Sequence, residues 1–223
     1  MSQDLRTQAL VLRRTNYGET DRILNLLTPE GKKSVLAKAA RKEKSKLAGG
    51  IELFCLSEVT IHAGKGDLAI LTSAKMLCFY QRILSDLEKL TFSSNAFKRL
   101  NRAAEHVSSP EYFSIATQVF SSLDNETSNL SMIESWFQLN LARVGGDTIN
   151  LIYDHSGAKL KSDQTYFWDS FEKVLSPHPE GNITADHIKL MRLIVTAPLA
   201  TVEQVINVHQ LTPAILPIAQ TFH

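Results

Sequence analysis

The chain has 223 residues, 43% of them apolar and 21% charged, and a net charge of +1, the composition of a soluble folded protein with one large or two ordinary domains. No apolar run approaches the ~20 residues that cross a bilayer, and the polar start Met1-Ser2-Gln3-Asp4-Leu5-Arg6 is unlike a signal peptide, so no membrane is expected as a partner and the expected location is the cytoplasm. Cys55 and Cys78 stand far apart with no CxxC spacing, which argues against a disulfide framework or a cysteine zinc site and reads both as small buried hydrophobes.

As far as about Thr72 the chain consists of short β-rich runs: Gln8 to Arg13, Ile23 to Thr28, Ser34 to Ala39, Leu53 to Ala63 and Leu68 to Thr72. Turn residues separate them. Pro29-Glu30-Gly31 lies between the second and third runs, and Gly64-Lys65-Gly66-Asp67 between the last two, where glycine adopts positive φ without a Cβ clash and a hairpin is expected. Five short strands in about 70 residues suit the partly open five-stranded OB-fold barrel; an SH3-like barrel is the nearest competitor.

From Ala74 the apolar spacing shifts toward 3.6, with Met76, Leu77, Tyr80, Ile83, Leu84, Leu87 and Leu90 placed for one helical face. A second helix is expected from Ser94, and a third from Ser109-Pro110, with proline at its first position. Ser131-Met132-Ile133-Glu134 resembles a capping box ahead of Trp136, Phe137, Leu139 and Leu141, and Gly145-Gly146 closes that helix. Residues 147–162 are poorly patterned. Helices are then expected over Gln164 to Leu175, Asp186 to Thr196 capped by Thr184, and Thr201 to Val208, with a last turn from Thr212-Pro213. The predicted fold class is therefore α+β: an OB-fold barrel over 1–73, then an all-helical domain over 74–223 with an irregular insert near 147–162.

Charge is unevenly distributed. Residues 1–73 carry 12 Lys/Arg against 8 Asp/Glu, net +4, and the remainder is net −3. Lys32 to Lys46 alone hold seven positive charges against one negative. Cations this crowded repel one another, and phosphates relieve that repulsion while releasing condensed counterions, the driving force of sequence-independent nucleic-acid binding. The bland alternative is a solvated surface that protects a sheet edge. Arg13, Arg14, Arg22 and Tyr17 come from neighbouring runs and would add guanidinium and aromatic groups, as a single-strand site needs, although a tyrosine is more often packed than presented for stacking.

Catalytic constellations are thin, and no catalytic residue is expected. Glu19 and Asp21 share a face if extended, and with a third acid would hold Mg²⁺ for phosphodiester cleavage; the alternative is that they pair with Arg14 or Arg22, or aim a basic neighbour. His155, His178 and His187 have no metal-binding spacing. Neither a GxxxxGK[ST] loop nor a GxSxG elbow is present.

Tyr17-Gly18-Glu19-Thr20-Asp21-Arg22-Ile23, Thr28-Pro29-Glu30-Gly31-Lys32, Ala37-Lys38-Ala39-Ala40-Arg41-Lys42 with Ser45-Lys46, and Glu52-Leu53-Phe54 ahead of Gly64-Lys65-Gly66-Asp67-Leu68 resemble the N-terminal domain of the RecO family of bacterial recombinational repair proteins. The resemblance covers residues 5–75 and returns at Trp136-Phe137-Gln138-Leu139-Asn140-Leu141-Ala142-Arg143-Val144-Gly145-Gly146. It implies a non-enzymatic recombination mediator, cytoplasmic and nucleoid-associated, that binds single- and double-stranded DNA and anneals complementary strands. Its implied partners are the acidic C-terminal tail of single-strand-binding protein, RecR and, indirectly, RecA. By position, the DNA contacts it implies are Lys38, Arg41, Lys42, Lys44 and Lys46, joined by Arg13, Arg14, Arg22, Lys32 and Lys33. Many members carry a four-cysteine zinc site after the glycine-ended helix. Here Asn150-Leu151-Ile152-Tyr153-Asp154-His155-Ser156-Gly157 has no cysteine, so a zinc-free member with no cofactor is expected. The basic stretch common near the family's C-terminus is replaced by Leu199 to Leu211.

Other classes remain open at this point. A basic OB surface does not distinguish DNA from RNA without reading the 2′-OH, so an RNA-binding protein of translation is the main competitor and the metal-dependent nuclease a lesser one. A protein-interaction scaffold would use a groove in the helical half near Trp136, Phe137 and Phe120, with Arg143, unless those aromatics are core.

Overall fold

In the computed structural model, which describes residues 4–64 and 68–222, the five β-rich runs form strands β1 (Leu5–Tyr17), β2 (Asp21–Thr28), β3 (Gly31–Ala37), β4 (Cys55–His62) and β5 (Ala69–Phe79). They close a barrel in the order β1-β2-β3-β5-β4, antiparallel at every seam except the parallel β3–β5 closure. Every second residue faces inward, as the pleat requires. Ala9, Val11, Leu24, Leu26, Val35, Ala37, Val59, Ile61 and Leu71 fill the interior. The predicted hairpin pairing of the last two strands is present, whereas its turn, apart from Gly64, lies outside the described residues.

The fifth strand corrects the sequence reading. Residues 74–79 continue β5 rather than opening a helix. Met76, Leu77, Cys78 and Phe79 are all exposed, so the alternation that marks a strand is lost there and the apolar spacing imitates a helical face. A 3₁₀ turn (Gln81–Ser85) follows, and the first two expected helices are one, α1 (Leu87–His106), capped by Asp86, whose carboxylate accepts the Glu88 and Lys89 amides. The third expected helix is α2 (Glu111–Leu123). Phe54, Phe97 and Phe120 form an aromatic cluster, with Phe54 and Phe97 stacked at 5.1 Å and Phe97 and Phe120 at 4.7 Å between ring centroids. Barrel, α1 and α2 make one compact unit, Met1–Asp124. Compactness thus divides the chain beyond the 73/74 boundary, because the two helices bury their apolar faces within the barrel's own unit.

The second unit, Asn125–His223, is built on α3 (Leu130–Val144), α4 (Ala185–Thr196), α5 (Leu199–Val202) and α6 (Val208–Ala219). Asn129, not Ser131, caps α3 by accepting the Met132 amide. Trp136 is core, with its indole N–H donated to the Ala197 carbonyl at 3.0 Å. The cap predicted at Thr184 is present and forms a capping box with His187. The helix expected over Gln164 to Leu175 is instead a hairpin, β6 (Tyr166–Asp169) and β7 (Val174–Pro177). Its turn is set by Asp169, which accepts the Phe171 and Glu172 amides, and by positive φ at Lys173. The final turn expected at Thr212 is a full helix with Pro213 and Pro217 inside it.

Candidate nucleic-acid interface

Small apolar anchors fix the basic connection between β3 and β4. Ala40 and Leu47 insert into the barrel core, 4% and 8% exposed, while Lys38, Arg41, Lys42, Lys44 and Lys46 point to solvent. Ala39 takes positive φ, and its amide donates to the Asp21 carboxylate at 2.7 Å. The Arg41 amide donates to the Thr20 carbonyl at 2.8 Å, and the Arg41 guanidinium reaches the Gly18 carbonyl. The connection is therefore latched to the β1–β2 turn, where Gly18 holds φ +56°. A 3₁₀ turn (Ala48–Gly50) ends it, and a Cβ at Gly50 would collide with the Ala74 carbonyl.

Strand register then decides which predicted contacts share a surface. Arg22 pairs with Ala37 on one side and Asn16 on the other, so Arg22, Tyr17 and the basic connection meet at one barrel mouth. Tyr17 is 54% exposed there, presented rather than packed. Lys32 and Lys33 begin β3 beside the opposite end, roughly 20 Å from Lys38 at the ~3.3 Å rise of a strand. Lys32 is spent on structure: its ammonium pairs with Glu105 at 2.5 Å and donates to the Asn101 carbonyl, tying β3 to the last turns of α1. Lys33 is close enough to Glu30 for their charges to interact. Arg14 is paired with Glu52 at 2.5 Å. Among the described residues, Arg13, Arg22, Lys38, Lys42, Lys44 and Lys46 have no ion pair, and Arg41 contacts only backbone.

Of the two acids of the β1–β2 turn, Asp21 serves this surface. Asp21 accepts from Ala39 and Thr20, which is the reading in which it aims a basic neighbour. Arg14 turns to Glu52 and not to them. No group of three or more His, Cys, Asp or Glu that could hold a metal occurs among the described residues. Replacing Asp21 with alanine is expected to cost about 1.5–3 kcal/mol, the worth of a hydrogen bond to a charged acceptor, and to speed hydrogen exchange at the Ala39 amide. Unchanged exchange would detach Asp21 from the loop.

Cys55 and Cys78 occupy neighbouring rungs of β4 and β5, Cys55 buried and Cys78 exposed, both as free thiols. Cys78 is thus not the buried hydrophobe expected, and burial pushes the Cys55 thiol above its ordinary range. In the insert, the Asp154 carboxylate accepts the Ser156 hydroxyl and the Ser156 and Ala158 amides, which hold it below the usual carboxylate range. With no thiolate there, the donor set does not fit the four-cysteine zinc site. Trp136, Phe137 and Phe120 are 3%, 1% and 0% exposed, core residues as the alternative reading had it.

Sequence reading missed two cations. Lys98 and Arg102, one helical turn apart on the exposed side of α1, stand across from Arg13 in a groove bounded by β1, Leu53-Phe54 and α1. Only their i, i+4 spacing was visible beforehand.

A cation-lined, closed five-stranded barrel of this order defines an OB-fold protein of the nucleic-acid-binding type. The family model described as "Recombination protein O N terminal" matches residues 1–80. A protein of Dehalococcoides mccartyi (strain ATCC BAA-2266 / KCTC 15142 / 195) named DNA repair protein RecO is 35% identical over 202 residues, covering 86% of this chain and 78% of the relative. Its namesake from Syntrophomonas wolfei is 28% identical over 214 residues, covering 90% and 82%, and that of Clostridium novyi is 30% identical over 143 residues, covering 63% and 56%. The chain belongs to the RecO family of DNA repair proteins.

Proposed function

We propose that this protein is a recombination mediator that binds single- and double-stranded DNA, anneals complementary strands coated by single-strand-binding protein, and helps RecR load RecA. The observation that carries the reading is the rigid mouth of the barrel, where, among the described residues, Arg22, Lys38, Lys42, Lys44 and Lys46 have no acidic partner and Arg41 touches only the Gly18 carbonyl. A surface of fixed backbone and uncompensated cations grips phosphates of any sequence, because phosphate contacts position a strand without reading its bases. Tyr17, exposed beside it, supplies a ring on which a base can stack. Holding a strand extended with its base edges free is the physical requirement for pairing it with a complement.

The test is a strand-annealing assay with naked and protein-coated single strands, run beside binding measurements on Arg41→Ala with Lys42→Ala. Removing two single-strand phosphate contacts at a salt slope of about −0.7 per contact is expected to weaken binding about 25-fold at 0.1 M salt. The loss should be equal for all sequences, slow annealing in proportion, and leave the melting temperature unchanged, since both side chains are exposed. Sequence-selective loss, or annealing that survives the loss of binding, would contradict the reading.

A further inference from the structure

A groove of about 880 Å³ runs between β1 and α1, and of the β3–β4 connection only its last two residues, Leu53 and Phe54, line it. Its floor is apolar, formed by Leu12, Leu53, Phe54, Leu90 and Phe97, and its walls carry Arg13 and Arg14 from β1 and Lys98 and Arg102 from α1. The walls are held in place. Asn25 of β2 donates to the Asn101 side chain at 3.0 Å, and Lys32 ties β3 to Glu105 and to the Asn101 carbonyl. Arg14 is neutralised by Glu52 and Glu105 by Lys32, so the charge left over belongs to Arg13, Lys98 and Arg102, for which no ion pair exists among the described residues.

We infer that this groove is a second nucleic-acid subsite, which takes one or two nucleotides of single-stranded DNA with the bases against the apolar floor and the phosphates between the β1 and α1 cations. The inference rests on the proposed DNA-binding function and extends its path. Three observations select this occupant. Uncompensated cations on both walls suit a repeating anion better than one carboxylate. The volume lies within the range of small-ligand clefts, which admits a base or two and excludes a duplex. β1 itself leads from Arg13 in the groove to Tyr17 at the barrel mouth, about 14 Å at ~3.4 Å per residue, so one strand can pass from one site to the other.

The experiment compares Lys98→Ala with Arg102→Ala, and the double charge reversal Lys98→Glu with Arg102→Glu, against the unaltered chain by fluorescence anisotropy on a labelled oligothymidine and a labelled duplex. For the alanine pair, single-strand affinity is expected to fall about 25-fold at 0.1 M salt and the slope of log K against log salt to become shallower by about 1.4. Duplex affinity should stay within about twofold, and the reversal should weaken the single strand further at an unchanged melting temperature. Unchanged single-strand affinity and slope, while Arg41→Ala with Lys42→Ala still weakens binding, would overturn the groove and leave the main function standing. Equal losses on single strand and duplex would overturn the single-strand assignment. An acidic, apolar-ended peptide that binds the unaltered chain and loses the Lys98/Arg102 variant, with oligonucleotides unaffected, would give the groove to a protein partner instead. If neither pair of substitutions changes binding to any oligonucleotide, the DNA-binding function fails and the subsite with it.

Discussion

A fourfold rise in salt, from 50 to 200 mM, is expected to weaken binding of a short single strand held only at the barrel mouth by roughly 10² to 10³. Arg22, Lys38, Arg41, Lys42, Lys44 and Lys46 gather at the barrel mouth with no carboxylate partner among the described residues. Six phosphate contacts on a strand held only at the mouth give a slope of log K against log salt near −4, at about −0.7 per contact, and a strand that also reaches Arg13, Lys98 and Arg102 in the groove steepens it to about −6. Had all ten basic residues suggested by the sequence touched phosphate, the slope would approach about −7. The ion pairs of Lys32 and Arg14, the opposite-end placement of Lys33 and the position of Arg13 in the β1–α1 groove are what lower it. An anisotropy titration reads the slope directly. A flat response would remove the nucleic-acid reading, and one near −7 would mean that those ion pairs open when the strand binds.

Phe97→Ala is expected to destabilise the first unit by about 3–5 kcal/mol, the usual loss for a buried phenylalanine whose cavity cannot close. Phe97 is 4% exposed and packs against both Phe54, which precedes β4, and Phe120 of α2. Deleting its ring therefore withdraws α1 from the barrel side and from α2 together. Urea unfolding followed by far-ultraviolet circular dichroism measures the loss. A change below about 1 kcal/mol would show that the cluster relaxes around the gap and that α1 is held chiefly by its polar ties, Asn25 to Asn101 and Lys32 to Glu105.

Local patterns were legible wherever one neighbour sufficed to explain them. The four strands β1 to β4 are read from alternation and turn residues, and α4 from its cap at Thr184, because pleat, turn and cap are satisfied within a few residues. Two expected helices are strands. Residues 74–79 expose four successive apolar or sulfur side chains and pair with β4, which lies outside their window, while Tyr166 to Leu175 hides a four-residue turn between the aromatic strand β6 and the start of β7. Apolar spacing alone reports neither a distant partner strand nor a turn without glycine or proline, and so favoured a helix.

The chemistry of the candidate site divides along the same line. A dense run of cations on a small barrel, and with it membership in a family that handles DNA, can be read from residue order, since charge density is a property of the chain whatever its fold. Which of those cations are available is not. Lys32 meets Glu105 across 73 positions, Arg14 meets Glu52 across 38, and Lys98 and Arg102 join Arg13 only because α1 lies along β1. Neutralising a charge requires contact, contact between distant residues is set by packing, and packing alone separates the cations that brace this protein from those left to hold a phosphate.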